Sequence, residues 1–440
     1  MHRFTAPDQQ LLRLLGERGG LLTAAEAAVR TGLPLETVEP RLLALAAASG
    51  ADLRVATDGT LAYRFPRHLR RRLLARSWRL RLQVACGLAW QVLFAAIRFS
   101  FGLVLLLLLT LVSAVLLVFG AVQLLRSDDG VEVLLQLLVE ALRLLGHVIV
   151  ALCSDALPSE RIPAAAAAGR RPGEDQALAA RRLNVFDAVH SVLFGDGDPN
   201  RSLERRRWVR VGCFLRHRGG AVIAEDLAPL LDLPPPPSDP EQARELADRA
   251  MLPVLQRFDG RPEVSDSGDL LYHFPSLQLQ AAPSPRQVGG QAAAVPGSAP
   301  GAAPAPPLRE RRIPFSRATG RQRSLYGTFS GSLLLLSPLL LLLIQPLPLP
   351  LLWLGWVGIS YGTLLLLVPL LRALLLGWRN RRIARRNSCR RRWLQHAVAC
   401  HAELQRRRAF AQRFAGSRRL EDAGLAYTTE SDLLEQQLRS

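Results

Sequence analysis

Asp196, Asp198 and Asn200 stand at alternate positions in FGDGDPN, residues 194–200. Oxygen-bearing side chains spaced in this way open an EF-hand calcium loop, which also needs a glycine at its sixth position and a carboxylate at its twelfth. Neither is present, and Arg207 occupies the last of these places. A turn containing Gly195, in which the Asp and Asn side chains bond nearby backbone, is the better account. His147 shares a polar stripe with Glu132, Gln136, Glu140 and Arg143, which fits a proton or metal site or a hydrogen-bonded structural histidine. The five cysteines, Cys86, Cys153, Cys213, Cys389 and Cys400, form no C-x-x-C pair, whereas zinc and iron–sulfur sites need clustered thiolates. No lysine occurs, so all 56 basic residues are arginine, a bias that a GC-rich genome also produces. Walker-type phosphate binding and Schiff-base catalysis, which use a lysine amine, are thereby excluded. These residues predict no catalytic group, no metal and no cofactor, and hence a protein that is not an enzyme.

Carboxylates are the remaining chemistry. Residues 221–275 carry eleven against four arginines, while residues 1–66 balance seven against seven. Glu225, Asp226, Asp232, Glu241, Glu245 and Asp248 read as a candidate protein-docking surface or as a solvated face. Such a domain repels a duplex, so nucleic acid is an unlikely partner despite a net charge of +19. The excess lies in arginine runs at 67–81, 201–218 and 379–408, which can orient spans and contact anionic headgroups.

The elements that must position these groups are written twice. GTLAYRFP (59–66) returns as GDLLYHFP (268–275), each some forty to fifty residues after a Gly-Gly pair. Tyr63 and Phe65, like Tyr272 and Phe274, alternate onto one face and read as core. In the first copy Thr23 and Glu26 make a capping-box start, Gly32 ends that helix, Pro34 opens the next, and an Asp-Gly turn joins two short alternating runs. Helices followed by a β-hairpin make a winged-helix-like module at 1–66, and the same order recurs within 183–277.

Phe99 to Leu125 is uncharged over a length sufficient to cross a bilayer. Leu325 to Leu371 suits two spans, broken by QPLPLP at 345–350. Val131 to Cys153 either crosses back or lies in the interface. The organisation expected is a basic juxtamembrane helix at 67–98, a membrane hairpin at 99–153, and a linker at 154–182. A disordered Pro/Ala/Gly linker at 278–308, a second hairpin at 325–371, and a basic helical tail with an acidic C-terminal helix at 372–440 complete it. The fold class is an α-helical membrane protein with two small α+β winged-helix-like soluble modules. Basic flanks place every soluble segment on one side. The first twenty residues lack the apolar core of a cleaved signal peptide.

The phrases LNVFDAVHSVLFGDGDPN, GGAVIAEDLAPLLD, MLPVLQRFDGRPEV, LLYHFP and AYTTESDLLEQ resemble a membrane-protein family of cyanobacteria and plant plastids. Plant members of that family carry the loose label iron–sulfur cluster biosynthesis family protein. The resemblance implies a cyanobacterial protein of the thylakoid or plasma membrane, with its soluble parts cytoplasmic, and supplies no catalytic residues. The leading expectation is a membrane-anchored scaffold or assembly factor that binds a protein partner through paired modules. An accessory factor in iron–sulfur metabolism acting through a cluster-holding partner is the alternative, and a membrane-tethered transcription regulator the third.

Overall fold

Each copy of the repeated phrase ends as the middle strand of a small antiparallel sheet, in the same register. The structure, a computed structural model of the whole chain, describes residues 10–12, 14–15, 20–56, 59–66, 78–124, 185–280, 303–343, 348–419 and 425–428, with 136, 139, 143 and 146. The question of whether Val131 to Cys153 crosses back falls outside these residues, as do the 154–182 linker and the acidic helix after 429.

Contacts divide the chain into two compact units, residues 1–85, 199–311 and 382–440 in one and 86–198 and 312–381 in the other. In the first unit, strand β1 (Gly20–Thr23) leads to helices α1 (Ala24–Thr31) and α2 (Leu35–Ser49), then to strands β2 (Asp52–Ala56) and β3 (Leu61–Phe65). The Thr23 hydroxyl accepts from the Glu26 amide at 3.2 Å, as the capping box predicts. Glu26 does not reach back, because its carboxylate takes Arg30 at 2.7 Å and Arg216 at 3.3 Å. Gly32 closes α1 at φ +74, and a Cβ there would press on the Arg205 carbonyl at 3.0 Å. Glycine is thus required both for the turn and for the approach of the second module.

In the second unit lie α3 (Trp78–Leu124), most of whose length falls after residue 85, and α4 (Val185–Phe194). The chain then re-enters the first unit with α5 (Leu203–His217), β4 (Ala221–Val222) and the one-turn helix α6 (Ala224–Leu227). Helices α7 (Pro240–Arg249) and α8 (Leu252–Phe258) and strands β5 (Arg261–Val264) and β6 (Leu270–His273) follow. Residues 241–258, EQARELADRAMLPVLQRF, read as one helix from sequence. They form two because Pro253, in the first turn of α8, cannot donate back into α7. The sheets run β1-β3-β2 and β4-β6-β5, and Leu22 opposes Tyr63 as Val222 opposes Tyr272. Tyr63, Phe65, Tyr272 and Phe274 are all buried.

One apolar cluster joins the two modules, with Leu42, Tyr63, Val211, Phe258 and Phe274 among its members. The α1–α5 crossing is tight: a Cβ at Gly212 would meet Val29 at 3.0 Å and Phe258 at 3.1 Å. Residues of the expected 278–308 linker also enter this unit. Strand β7 (Leu279–Gln280) pairs in parallel with β8 (Arg418–Arg419), and Ala305 and Leu308 are core residues. The linker therefore ends before residue 303, where the extended chain is tied to module 2 by Ala305 N–H to Asp226 O at 2.9 Å. Near the other end of the chain, β9 (Leu425–Thr428) extends the first sheet by pairing with β2.

The second unit packs α3 and α4 with α9 (Gly320–Leu343) and the first part of α10 (Leu349–Ala399), a helix that the division between units crosses at 381/382. α3, α9 and α10 are long and apolar enough to cross a membrane. α9 and α10 approach through glycine: a Cβ at Gly358 would collide with Ser337 Oγ, and one at Gly362 would sit 3.2 Å from the Leu334 backbone. Tyr361 OH donates to the Phe101 carbonyl at 2.7 Å, fastening α10 to α3. α11 (His401–Phe414), back in the first unit, is the last helix among the described residues.

Candidate functional site: the acidic face of the second module

β4 delivers the chain into α6 through Ile223, in extended conformation, so Glu225 and Asp226 fall in the first turn of a one-turn helix. Both are buried, at 3% and 2% exposure, where an unpaired carboxylate is strongly disfavoured. α11 lies against β4 and β6 through Ala221, Ile223, Leu271, Leu404 and Ala411, and this contact brings two consecutive arginines over the carboxylates. Arg408 donates Nη2 and Nε to Asp226 Oδ1 at 2.6 and 3.1 Å, and Arg218 Nη2 reaches Oδ2 at 3.3 Å. Arg407 pairs with Glu225, donates to the Leu270 carbonyl at 3.2 Å, and lies 3.6 Å from Asp269. Burial pushes the Glu225 carboxyl up, and Arg407 only partly opposes it. Burial likewise pushes Asp248 up, although its carboxylate accepts from Tyr272 OH at 3.0 Å. The Tyr272 hydroxyl is driven well above its ordinary value by burial and by the Asp248 charge.

A second set holds the extended segment before α9. Glu310, nearly fully buried, takes Arg386 at 2.6 Å and Arg390 at 2.8 Å. Burial alone would raise the Glu310 carboxyl, but the hydrogen bond and charge of Arg386, with Arg390, hold it below its ordinary range. Arg390, 1% exposed, also pairs with Asp232 and donates to the Leu308 carbonyl at 3.1 Å. Asp232 receives Arg207 as well, and these two arginines outweigh its burial and lower its carboxyl. Trp393 Nε1 donates to the Pro234 carbonyl at 2.7 Å, seating the same helix face.

The acidic face is therefore divided. Glu225 and Asp226 are not offered to an outside partner, because the chain's own arginines cover them, whereas Asp232 pairs with Arg207 and Arg390 while its side chain stays 45% exposed. Asp248 is engaged by Tyr272, and lies 3.9 Å from Arg244. Glu241 and Glu245, on α7, also remain outward, with Glu245 meeting Arg249 in an exposed pair. Counting charge within residues 221–275 missed this, since the complementary arginines lie outside that stretch, Arg207 and Arg218 just before it and Arg390, Arg407 and Arg408 158 to 182 residues from their partners. The tail expected on the membrane surface or in a helix pairing is, from Arg386 to Arg408, a clamp on the module.

FGDGDPN holds backbone too, but distant backbone. In the second unit Asp196 Oδ2 accepts from Ser191 Oγ at 2.7 Å and from the Arg317 amide at 2.8 Å. Gly195, at φ +81, leaves room for the Arg372 guanidinium, which donates to the Val192 carbonyl at 2.7 Å. In the first unit the Asn200 amide brackets Arg311, accepting from its N–H at 2.9 Å and donating to its carbonyl at 2.6 Å. Asn387 does the same to Glu310, and Asn380 to Ile313 in the second unit. A side-chain amide that both donates and accepts satisfies an extended chain as a neighbouring strand would. Asp198 is exposed in the turn. Sequence reasoning missed Asn380 and Asn387; the signal was two asparagines seven residues apart inside an arginine run.

No family model matches the chain, and no solved structure matches it. It is 31% identical over 283 residues to an uncharacterized chloroplastic protein of Arabidopsis thaliana, an alignment taking in 62% of this chain and 49% of that one. The chain thus spans about half the length of the curated relative it matches.

Proposed function

We propose that this chain is an integral membrane scaffold or assembly factor, without enzymatic activity, whose two winged-helix-like modules present a protein-binding surface. The observation that carries the reading is the shared core of the modules together with the neutralisation of the buried carboxylates by arginine. A paired carboxylate held in a guanidinium clamp serves architecture rather than proton transfer. The winged-helix assignment is supported by a strand, then helices, then two hairpin strands in both modules, and by the matching β1-β3-β2 and β4-β6-β5 pairings within their sheets. In that fold the helical stretch before the wing is the reading element; here it is divided into α7 and α8, and α7 shows Glu241 and Glu245 outward, which suits a basic protein partner.

Membrane insertion is supported by Trp353, Trp356 and Trp378, exposed on α10. Trp353 and Trp378 are 25 residues apart, about 37 Å along a helix, matching two interfacial belts. Arg379, Arg381, Arg385, Arg391 and Arg392 are exposed beyond the second belt and suit anionic headgroups. Phe186 meets Phe99 with ring centroids 4.2 Å apart, whereas Leu124 ends α3 about 37 Å further along its axis. That separation favours a return of the chain between them and all soluble parts on one side. The chloroplastic relative is compatible with a thylakoid membrane, and we place the chain in the cyanobacterial and plastid family it resembles.

Crosslinked pull-down from native membranes, comparing wild type with Glu241→Lys/Glu245→Lys, tests the proposal. A basic protein recovered by wild type and lost from the double variant is expected. Equal recovery by both would move the binding surface elsewhere. Recovery of a cluster-holding protein, with iron after anaerobic purification, would favour the iron–sulfur reading instead.

A further inference from the structure

A cleft of about 570 Å³ opens in the first unit between the C-terminal end of α5, β4 and the face of α11. Its polar lining includes Arg216, Arg218, Arg408, Asp226 and Gln412. The charges around it do not balance. Asp226, 2% exposed, pairs with both Arg218 and Arg408, and the Arg408 side chain is itself 4% exposed. Arg216 shares Glu26 with Arg30, so a single carboxylate again answers two guanidiniums. Among the described residues lining the cleft, three guanidiniums, Arg216, Arg218 and Arg408, thus face one carboxylate, Asp226. Burial lowers the Arg218 guanidinium, although Asp226 opposes this, as expected where positive charge is crowded out of water.

We propose that this cleft binds the phosphate group of an anionic ligand. A tetrahedral phosphate carries up to two negative charges and several acceptor oxygens, which suits converging guanidinium forks better than a single carboxylate does. Ala221, Val222, Ile223, Ala411 and Ala415 line the remaining wall and provide apolar room for an organic part. The volume falls within the range of small-ligand sites. The phosphate belongs either to a lipid headgroup or to a soluble phosphorylated molecule. The inference does not depend on the protein partner proposed for α7, because none of its residues lies on that helix.

The test uses full-length protein in uncharged detergent or in nanodiscs, at ionic strength held constant with sodium chloride. Inorganic phosphate and glycerol 3-phosphate are titrated calorimetrically, and nanodiscs of phosphatidylglycerol are compared with phosphatidylcholine by lipid retained after washing. Gln412, exposed on α11 and lining the cleft, is the position to vary, since either charge is tolerated there without disturbing the buried pairs. Gln412→Glu is expected to weaken binding about tenfold and Gln412→Arg to leave it equal or tighter. Arg216→Gln should also weaken it. Binding of the soluble phosphates with this pattern identifies a soluble ligand. Retention of phosphatidylglycerol alone, with the same pattern, identifies a headgroup. No binding of any probe, or binding indifferent to the charge at residue 412, overturns the proposal.

Discussion

Glu310 shows what a buried charge costs when its partner is removed. It is nearly inaccessible and serves both Arg386 and Arg390, the second of which is itself buried. Glu310→Gln leaves the Arg390 guanidinium with Asp232 and one carbonyl, and a broken buried pair costs about 3 kcal/mol. The pH dependence has a definite sign. Because the folded carboxyl lies below its ordinary 4.5, its stabilising contribution is present above that value and disappears as pH falls through the lower folded one. Glu225 and Asp248, pushed up by burial, act oppositely: what their neutral forms contribute is present at low pH and lost as pH rises through their folded values. Thermal midpoints measured from neutral pH down to about pH 3 should fall less in Glu310→Gln than in wild type. Parallel acid limbs would show that the Glu310 pair does not control docking.

At the scale of elements, the glycines of α10 set how closely it meets α9. Gly355, Gly358 and Gly362 face Leu341, Ser337 and Leu334, leaving no space for a side chain. Gly358→Leu should destabilise the hairpin by about 2 kcal/mol, the cost of overpacking, while Gly377, which has nothing within 4 Å, should accept Ala freely. Disulfide trapping between cysteines placed across the two helices reads the difference: efficient in wild type and Gly377→Ala, reduced in Gly358→Leu. The extended segment before α9 offers a second element whose order depends on side chains. Glu310 is bracketed by Asn387, so hydrogen exchange at its amide should accelerate in Asn387→Ala without change in β6, whose partners are backbone.

For the whole molecule, side-specific labelling is decisive for topology. Cysteines introduced at Asp198 and Asp266, both exposed, should react with a membrane-impermeant reagent from the same side, and one at Asp128 from the other. Reaction of Asp128→Cys from the shared side would overturn the two-hairpin arrangement. The apolar runs of α3, α9 and α10, the Thr23 cap, the turns at Gly32 and Gly59, and the duplicated Tyr-x-Phe strands were legible in the sequence. Each depends on hydrophobic length, on period or on a backbone angle available to few residues, and all of these are local properties. The break at Pro253 was equally local and was passed over. The fate of the charges was not legible. A charge count is a sum over composition, whereas ion pairing depends on distance, and the fold alone brings Arg407 to Glu225 and Asn387 to Glu310. The sequence by itself determined the spans and the repeated module; tertiary structure decided which carboxylates are closed off and which, on α7, still face outward.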